Sequence, residues 1–159
     1  MPKLNLDAID RRILEALQRN GRLTNVELAK ESGLSQSPCL RRIKILEDKG
    51  IIEGYRAVLN RERVGLGVTV FVSINLQFHS DKDAAVFTDA TVKLPEVIAC
   101  HNVSGETDFL LEVVAQDLRT YSELVLTKLL ALPGIKDIRS NFSMKTVKSP
   151  APLPLDHIE

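Results

Sequence analysis

Ser35-Gln36-Ser37-Pro38-Cys39-Leu40-Arg41-Arg42-Ile43-Lys44-Ile45-Leu46-Glu47-Asp48-Lys49-Gly50 reads as a helix with both ends marked. Ser35 suits the N-cap, because its hydroxyl can accept from the free N–H groups of the first turn. Pro38 falls in that turn, where a missing N–H breaks no helical bond. Leu34 and Cys39 are placed to form a hydrophobic staple across the start, and Gly50 supplies a left-handed stop. At about 100° per residue, Cys39, Leu40, Ile43 and Leu46 share one face. Ser37, Arg41, Lys44 and Asp48 share the opposite face, with Arg42 at its flank. A short helix with one apolar side and one Ser/Arg/Lys side has the size and chemistry to enter a DNA major groove. Solvated surface helices often carry such a face too, so the preceding element matters.

Thr24-Asn25-Val26-Glu27 has the pattern of a capping box, in which Thr24 accepts from the Glu27 N–H and Glu27 reaches back. The helix it opens extends to Ser32, and Gly33-Leu34 turns the chain into Ser35. Two helices joined by so short a Gly-containing turn form a helix-turn-helix, whose second helix reads bases. Upstream, Asp7 is the expected cap of a helix with Ile9, Ile13, Leu14 and Leu17 at helical spacing, stopped by Asn20-Gly21. Helices at about 7–18, 25–32 and 36–49 make a small core. Ile51 to Leu59 is β-branched-rich and is expected to be a short strand or wing.

The 159 residues are 44% hydrophobic and 26% charged, with no Trp and a formal net charge of zero. The charge is unevenly placed. Residues 1–60 carry 11 Lys/Arg and 8 Asp/Glu, against 10 and 13 in residues 61–159. The basic excess sits with the helix-turn-helix, where phosphate contacts need it. It is small, so tight binding calls for more than one copy. Of the two cysteines, Cys39 lies on an apolar helix face and reads as a buried thiol. No signal-peptide pattern is present and no apolar run approaches ~18 residues, so the expected location is the cytoplasm.

Beyond the polar, Gly-ended stretch Asn60–Gly67, Val68 to Phe78 is a strand: every even position is apolar and the odd ones are polar except Phe71. A helix is expected at about 82–93, with Val86, Phe87, Ala90 and Leu94 inward. Strands at Val97–Ser104 and Asp108–Ala115 flank Gly105-Glu106-Thr107 as a hairpin. A helix at about 118–131 follows, with Leu118, Tyr121, Val125, Leu129 and Leu132 in one stripe, and then a strand from Ile135 to Val147. Leu94-Pro95-Glu96-Val97 and Leu132-Pro133-Gly134-Ile135 each end a helix and begin a strand, a weak internal repeat. The order β-α-β-β-α-β is ferredoxin-like. The expected fold is therefore α+β: a (winged) helix-turn-helix domain over 1–60, a linker over 61–67, a ferredoxin-like domain over 68–148 and a Pro-rich tail over 149–159. Pro150, Pro152 and Pro154 keep that tail from being helical, and it is expected to be extended or poorly ordered.

This arrangement resembles the Lrp/AsnC (feast/famine) family of transcriptional regulators over essentially the whole chain. The resemblance rests on Leu6-Asp7-Ala8-Ile9-Asp10-Arg11-Arg12-Ile13-Leu14, Asn25-Val26-Glu27-Leu28-Ala29, the Ser35–Ile43 run, and Leu46-Glu47 leading through Gly50-Ile51-Ile52 to Gly54-Tyr55. Ser104-Gly105-Glu106-Thr107-Asp108-Phe109-Leu110-Leu111 completes it. It implies a C-terminal RAM domain that forms dimers and higher assemblies, often octamers, and often binds an amino acid between dimers. It implies DNA contacts from Thr24, Asn25, Ser35, Gln36, Ser37, Arg41, Arg42 and Lys44 on double-stranded DNA. It places an effector site at His101, Asn102, Val103, Ser104, Gly105, Glu106, Thr107 and Asp108, the last matching the family's Gly-x-x-Asp pattern with Gly105. Gly permits a tight turn and close approach, and a carboxylate beside it can pair with a ligand ammonium. Alternatively Asp108 simply stabilises the hairpin, as turn residues do. Leu153-Pro154-Leu155 resembles one subset of members.

Catalysis has no support in the residues. His79, His101 and His157 are scattered, and Cys100 and His101 are adjacent in a strand and so point to opposite faces, a poor metal pair. No phosphate loop or nucleophile elbow is present. No cofactor is expected beyond an amino-acid effector, and no membrane partner. The competing reading is an architectural DNA-coating protein of the same fold without a ligand.

Overall fold

The structure, a computed structural model, describes residues 6–77 and 81–158. It divides into two compact units: Met1–Val58 with Lys148–Glu159, and Leu59–Val147.

The first unit holds α1 (Ala8–Arg19), α2 (Asn25–Ser32) and α3 (Gln36–Asp48). Asp7 caps α1, accepting from Ile9 N and Asp10 N at 2.9 Å each, while Asp10 reaches back to the Asp7 N–H. Thr24 and Glu27 close the expected capping box on α2, and Gly33 ends it with φ +75°. Ile13, Ala16, Leu28, Ala29, Cys39 and Leu46 are the centre of the core. Each such burial stabilises by roughly 1.5–3 kcal/mol for the larger side chains.

Four expectations here are corrected. Ser35 occupies the N-cap of α3 but its hydroxyl makes no capping bond. Leu40 is half exposed rather than inward, because the narrow core of three short helices accommodates only Cys39, Ile43 and Leu46 from α3. Residues 51–59 form no strand; Ile51 and Ile52 pack on the helical core instead. The tail beyond Lys148 is docked in the first unit, with Leu155 against its core and Ile158 buried.

The second unit is a four-stranded antiparallel sheet in the order β2 (Val97–Asn102), β3 (Phe109–Ala115), β1 (Val68–Leu76), β4 (Ile135–Phe142). α4 (Asp81–Thr91) and α5 (Leu118–Leu124) cover one face. Strand alternation decides which residues lie beneath them: Val70, Val72, Ile74 and Leu76 of β1 and Phe109, Leu111 and Val113 of β3 pack with Phe87, Tyr121, Leu124 and Leu129. The opposite face carries Thr69, Phe71, Ser73 and Asn75 of β1, and Phe71 is 39% exposed.

α5 is shorter than its stripe predicts, because a π-helical turn takes over at Val125–Leu129. Tyr121, Leu124, Leu129 and Leu132 are buried. The five-residue step from Leu124 to Leu129 needs one extra residue in the turn, which a π bulge supplies. Leu118 and Val86, both expected inward, are exposed. β4 ends at Phe142 and not at Val147. Phe78 and His79 lie outside the described residues.

Candidate DNA-binding helix and effector turn

Around α3, Ser35, Gln36, Ser37, Leu40, Arg41 and Lys44 are exposed, as are Pro38, Ile45, Glu47, Asp48 and Lys49. Ser37, Leu40, Arg41 and Lys44 follow i, i+3, i+4, i+7 spacing and so form one stripe. Among the described residues neither Arg41 nor Lys44 enters an ion pair within the unit. Arg42 does. Its Nη1 lies 2.8 Å from Asp7 Oδ2 and 2.8 Å from Asp10 Oδ1. Only 13% of the Asp10 side chain is exposed, so a cation beside it offsets the cost of burying its carboxylate. Arg42 thus ties α1 to α3 through its Nη1, with 30% of its side chain still exposed. Its guanidinium is held above its ordinary range by hydrogen bonds to Asp10 and then Asp7. Thr24 is similarly engaged, its hydroxyl bonded to Glu27, whereas Asn25 is exposed at the first turn of α2. Leu40 is the residue that sequence periodicity missed. Its exposure between Ser37 and Arg41 was signalled only by the i, i+3 spacing to Ser37.

The turn between β2 and β3 brings His101 to Asp108 together. His101, Asn102, Ser104, Gly105 and Glu106 are exposed, and Val103, Thr107 and Asp108 half-buried. Gly105 has φ +126°, which a side chain would strain. The Asn102 amide and the Val103 N–H both donate to Asp108 O, at 3.0 and 3.1 Å. Thr107 Oγ1 donates to Phe109 O at 3.1 Å.

Asp108 ties this turn to the far end of β1. Its N–H donates to Ile74 O at 3.0 Å and to Asn75 Oδ1 at 3.2 Å, and its Oδ2 accepts from Leu76 N at 2.7 Å. The β1–β4 register shifts between Asn75 and Leu76, and β1–β3 pairing ends at Ile74. Leu76 N–H therefore sits where the ladder is interrupted, and a carboxylate there satisfies it. The hairpin-stabilising reading of Asp108 describes this geometry.

A three-helix unit presenting a cationic, exposed helix, on one chain with a ferredoxin-like sheet, defines a DNA-binding regulator with a separate ligand domain. Residues 6–53 match the winged helix-turn-helix DNA-binding family, and residues 69–153 match the family described as the Lrp/AsnC ligand binding domain. The chain is 44% identical over 147 residues to the leucine-responsive regulatory protein of Escherichia coli (strain K12), covering 92% of this chain and 90% of that one. It is 41% identical over 146 residues to the leucine-responsive regulatory protein of Rhizobium meliloti (strain 1021), covering 92% and 94%. The crystal structure of a transcriptional regulator from Neisseria meningitidis, in complex with L-Met, matches with a TM-score of 0.90 at 43% identity, covering 96% and 98%. The chain belongs to the Lrp/AsnC family of transcriptional regulators, and it regulates transcription by binding DNA. The sequence resemblance and the α+β expectation are borne out.

No helix among the described residues is long and apolar enough to cross a membrane.

Proposed function

We propose that α3 lies in the major groove of double-stranded DNA and that an amino acid bound near the β2–β3 turn modulates this binding. The observation that carries it is the split between two adjacent arginines: Arg42 Nη1 pairs with Asp7 and Asp10, and Arg41 is exposed with Lys44. Arg41 is the residue suited to a bidentate guanine contact, Ser37 and Gln36 to flanking polar contacts, and Leu40 to a thymine methyl. Asn25, Thr24 and Ser35 lie where phosphates pass, at the N-termini of α2 and α3.

A chain with so small a basic excess needs two recognition helices on one site. The exposed Phe71, on the sheet face opposite α4 and α5, supports a two-fold dimer through the second unit, assembling further to an octamer. The turn from His101 to Asp108 receives the effector: exposed backbone at Ser104–Glu106 approaches it, and the Asp108 charge attracts its ammonium. Such a protein works in the cytoplasm, on the nucleoid, without catalysis.

The deciding experiment titrates DNA from upstream of the protein's own gene, with and without each of the twenty amino acids. Specific binding that shifts with at least one of them is expected. Specific binding that shifts with none would leave the architectural reading, and no specific binding would remove the DNA assignment.

A further inference from the structure

The segment Ser149–Ile158 has a sequence suited to docking and a surface that receives it. Pro150, Pro152 and Pro154 restrict the free chain to extended conformations, so less entropy is lost when it binds. Within Pro152-Leu153-Pro154, Leu153 supplies the one backbone N–H. Gln18 of α1 takes it: Leu153 N donates to Gln18 Oε1 at 2.6 Å, and Gln18 Nε2 donates to Leu153 O at 3.2 Å. Two helical turns earlier on the same face, Arg11 pairs with Asp156 and donates to Ile158 O at 3.4 Å. Between these polar ties Leu155 packs on the helical core, and Ile158 is buried after a turn closed by Ile158 N to Leu155 O at 3.0 Å. Polar ties at both ends and apolar burial between them are how a bound peptide is recognised, and here the occupant is the chain's own tail.

The consequence is topological. The DNA-binding unit connects to the ligand domain twice, between Val58 and Leu59 and between Val147 and Lys148. A body held by one connection can swing and rotate about it, whereas a second anchor on α1 removes much of that freedom.

We propose that Leu153–Ile158 is a strap that completes the DNA-binding unit and, as its second tether, fixes how the two recognition helices of a dimer are presented to DNA. The second half of this rests on the two-fold reading above. Restricting the pair raises the effective concentration of the second helix once the first has bound.

The test compares the full chain, a chain ending at Ser149, and a full-length Gln18→Ala variant. Amide exchange in α1 should accelerate at least about tenfold in the truncated chain and by less in Gln18→Ala, with the β1–β3 amides unchanged. Affinity for DNA with two half-sites should fall by about tenfold in the truncated chain, and affinity for a single half-site should hold. Unchanged α1 exchange on truncation would overturn the strap, as would equal acceleration in the sheet, which marks a general stabiliser. Faster α1 exchange with unchanged two-site affinity would overturn its role in presentation. If the full chain itself gains nothing from a second half-site, the dimer reading has failed, and the exchange data alone then decide whether the tail is an element of the unit.

Discussion

Arg42 Nη1 lies 2.8 Å from Asp10 Oδ1, and this pair directs one arginine of α3 inward while its neighbour Arg41 remains on the exposed face. The two adjacent residues, chemically identical, thereby sit in different surroundings. Arg41→Ala should weaken operator binding by about 1–3 kcal/mol, the worth of a bidentate base contact, with an unchanged unfolding midpoint. Arg42→Ala leaves Asp10 partly buried without its cation, and should cost about 1–3 kcal/mol of stability. Parallel thermal unfolding and DNA titration of both variants check the split. A stable Arg42→Ala protein with wild-type melting would show that the pair contributes nothing.

Leu40 tests the stripe independently of charge. Leu40→Ala removes an exposed side chain, so melting should stay within about 0.5 kcal/mol of wild type. Discrimination against a thymine-to-uracil change in the operator should disappear if Leu40 contacts the thymine methyl. Retained discrimination would assign the methyl contact elsewhere.

At Asp108, fold and charge can be separated. Asp108→Ala leaves Leu76 N–H without this acceptor at the β1 bulge, and should destabilise the ligand domain by roughly 1–3 kcal/mol. Asp108→Asn keeps an oxygen acceptor and loses the charge. It should melt near wild type, bind DNA normally and lose the amino-acid response. An Asn variant that responds like wild type would confine Asp108 to the structural role seen in its bond to Leu76.

Acid should loosen the helix starts first. The Asp10 backbone N–H, assisted by Arg42, holds the Asp7 carboxyl below its ordinary range; the Thr24 backbone N–H does so for Glu27, and the Thr120 backbone N–H for Asp117. A carboxyl whose folded pKa lies below its unfolded one contributes stability at neutral pH and loses it as pH falls through the folded value. Melting should therefore be flat from pH 7 to about 5 and decline below about pH 4. Asp7→Asn should lower the neutral-pH midpoint and flatten that decline in the DNA-binding unit.

Assembly can be read at Phe71, which is 39% exposed on the sheet face opposite α4 and α5. Phe71→Glu sets a carboxylate beside Glu112, its cross-strand partner, and should shift sedimentation from the dimer-based assembly to monomer while circular dichroism is retained. Dimers that persist in the variant would move the interface to another surface.

Much of this was legible in the residues. Asp7, Thr24-x-x-Glu27 and Gly33 act within four residues of themselves, so their caps follow from local chemistry. The alternation in Val68–Leu76 fixed which face of β1 is buried, because a strand's period is two whatever surrounds it. Such local signals placed the three helices of the first unit and the buried face of β1; the family came from the resemblance of the motifs between Leu6 and Leu111.

Tertiary structure decided what depends on distant partners. Arg42 meets Asp10 across 32 positions, Asp108 meets Leu76 across 32, and Leu153 meets Gln18 across 135. Periodicity gives the direction of a side chain from its own axis, not what another element brings to meet it. That is why the ion pairs of Arg42 and the exposure of Leu40 were not legible in the sequence, and why a proline-rich tail expected to be extended or poorly ordered proved to be docked in the DNA-binding unit.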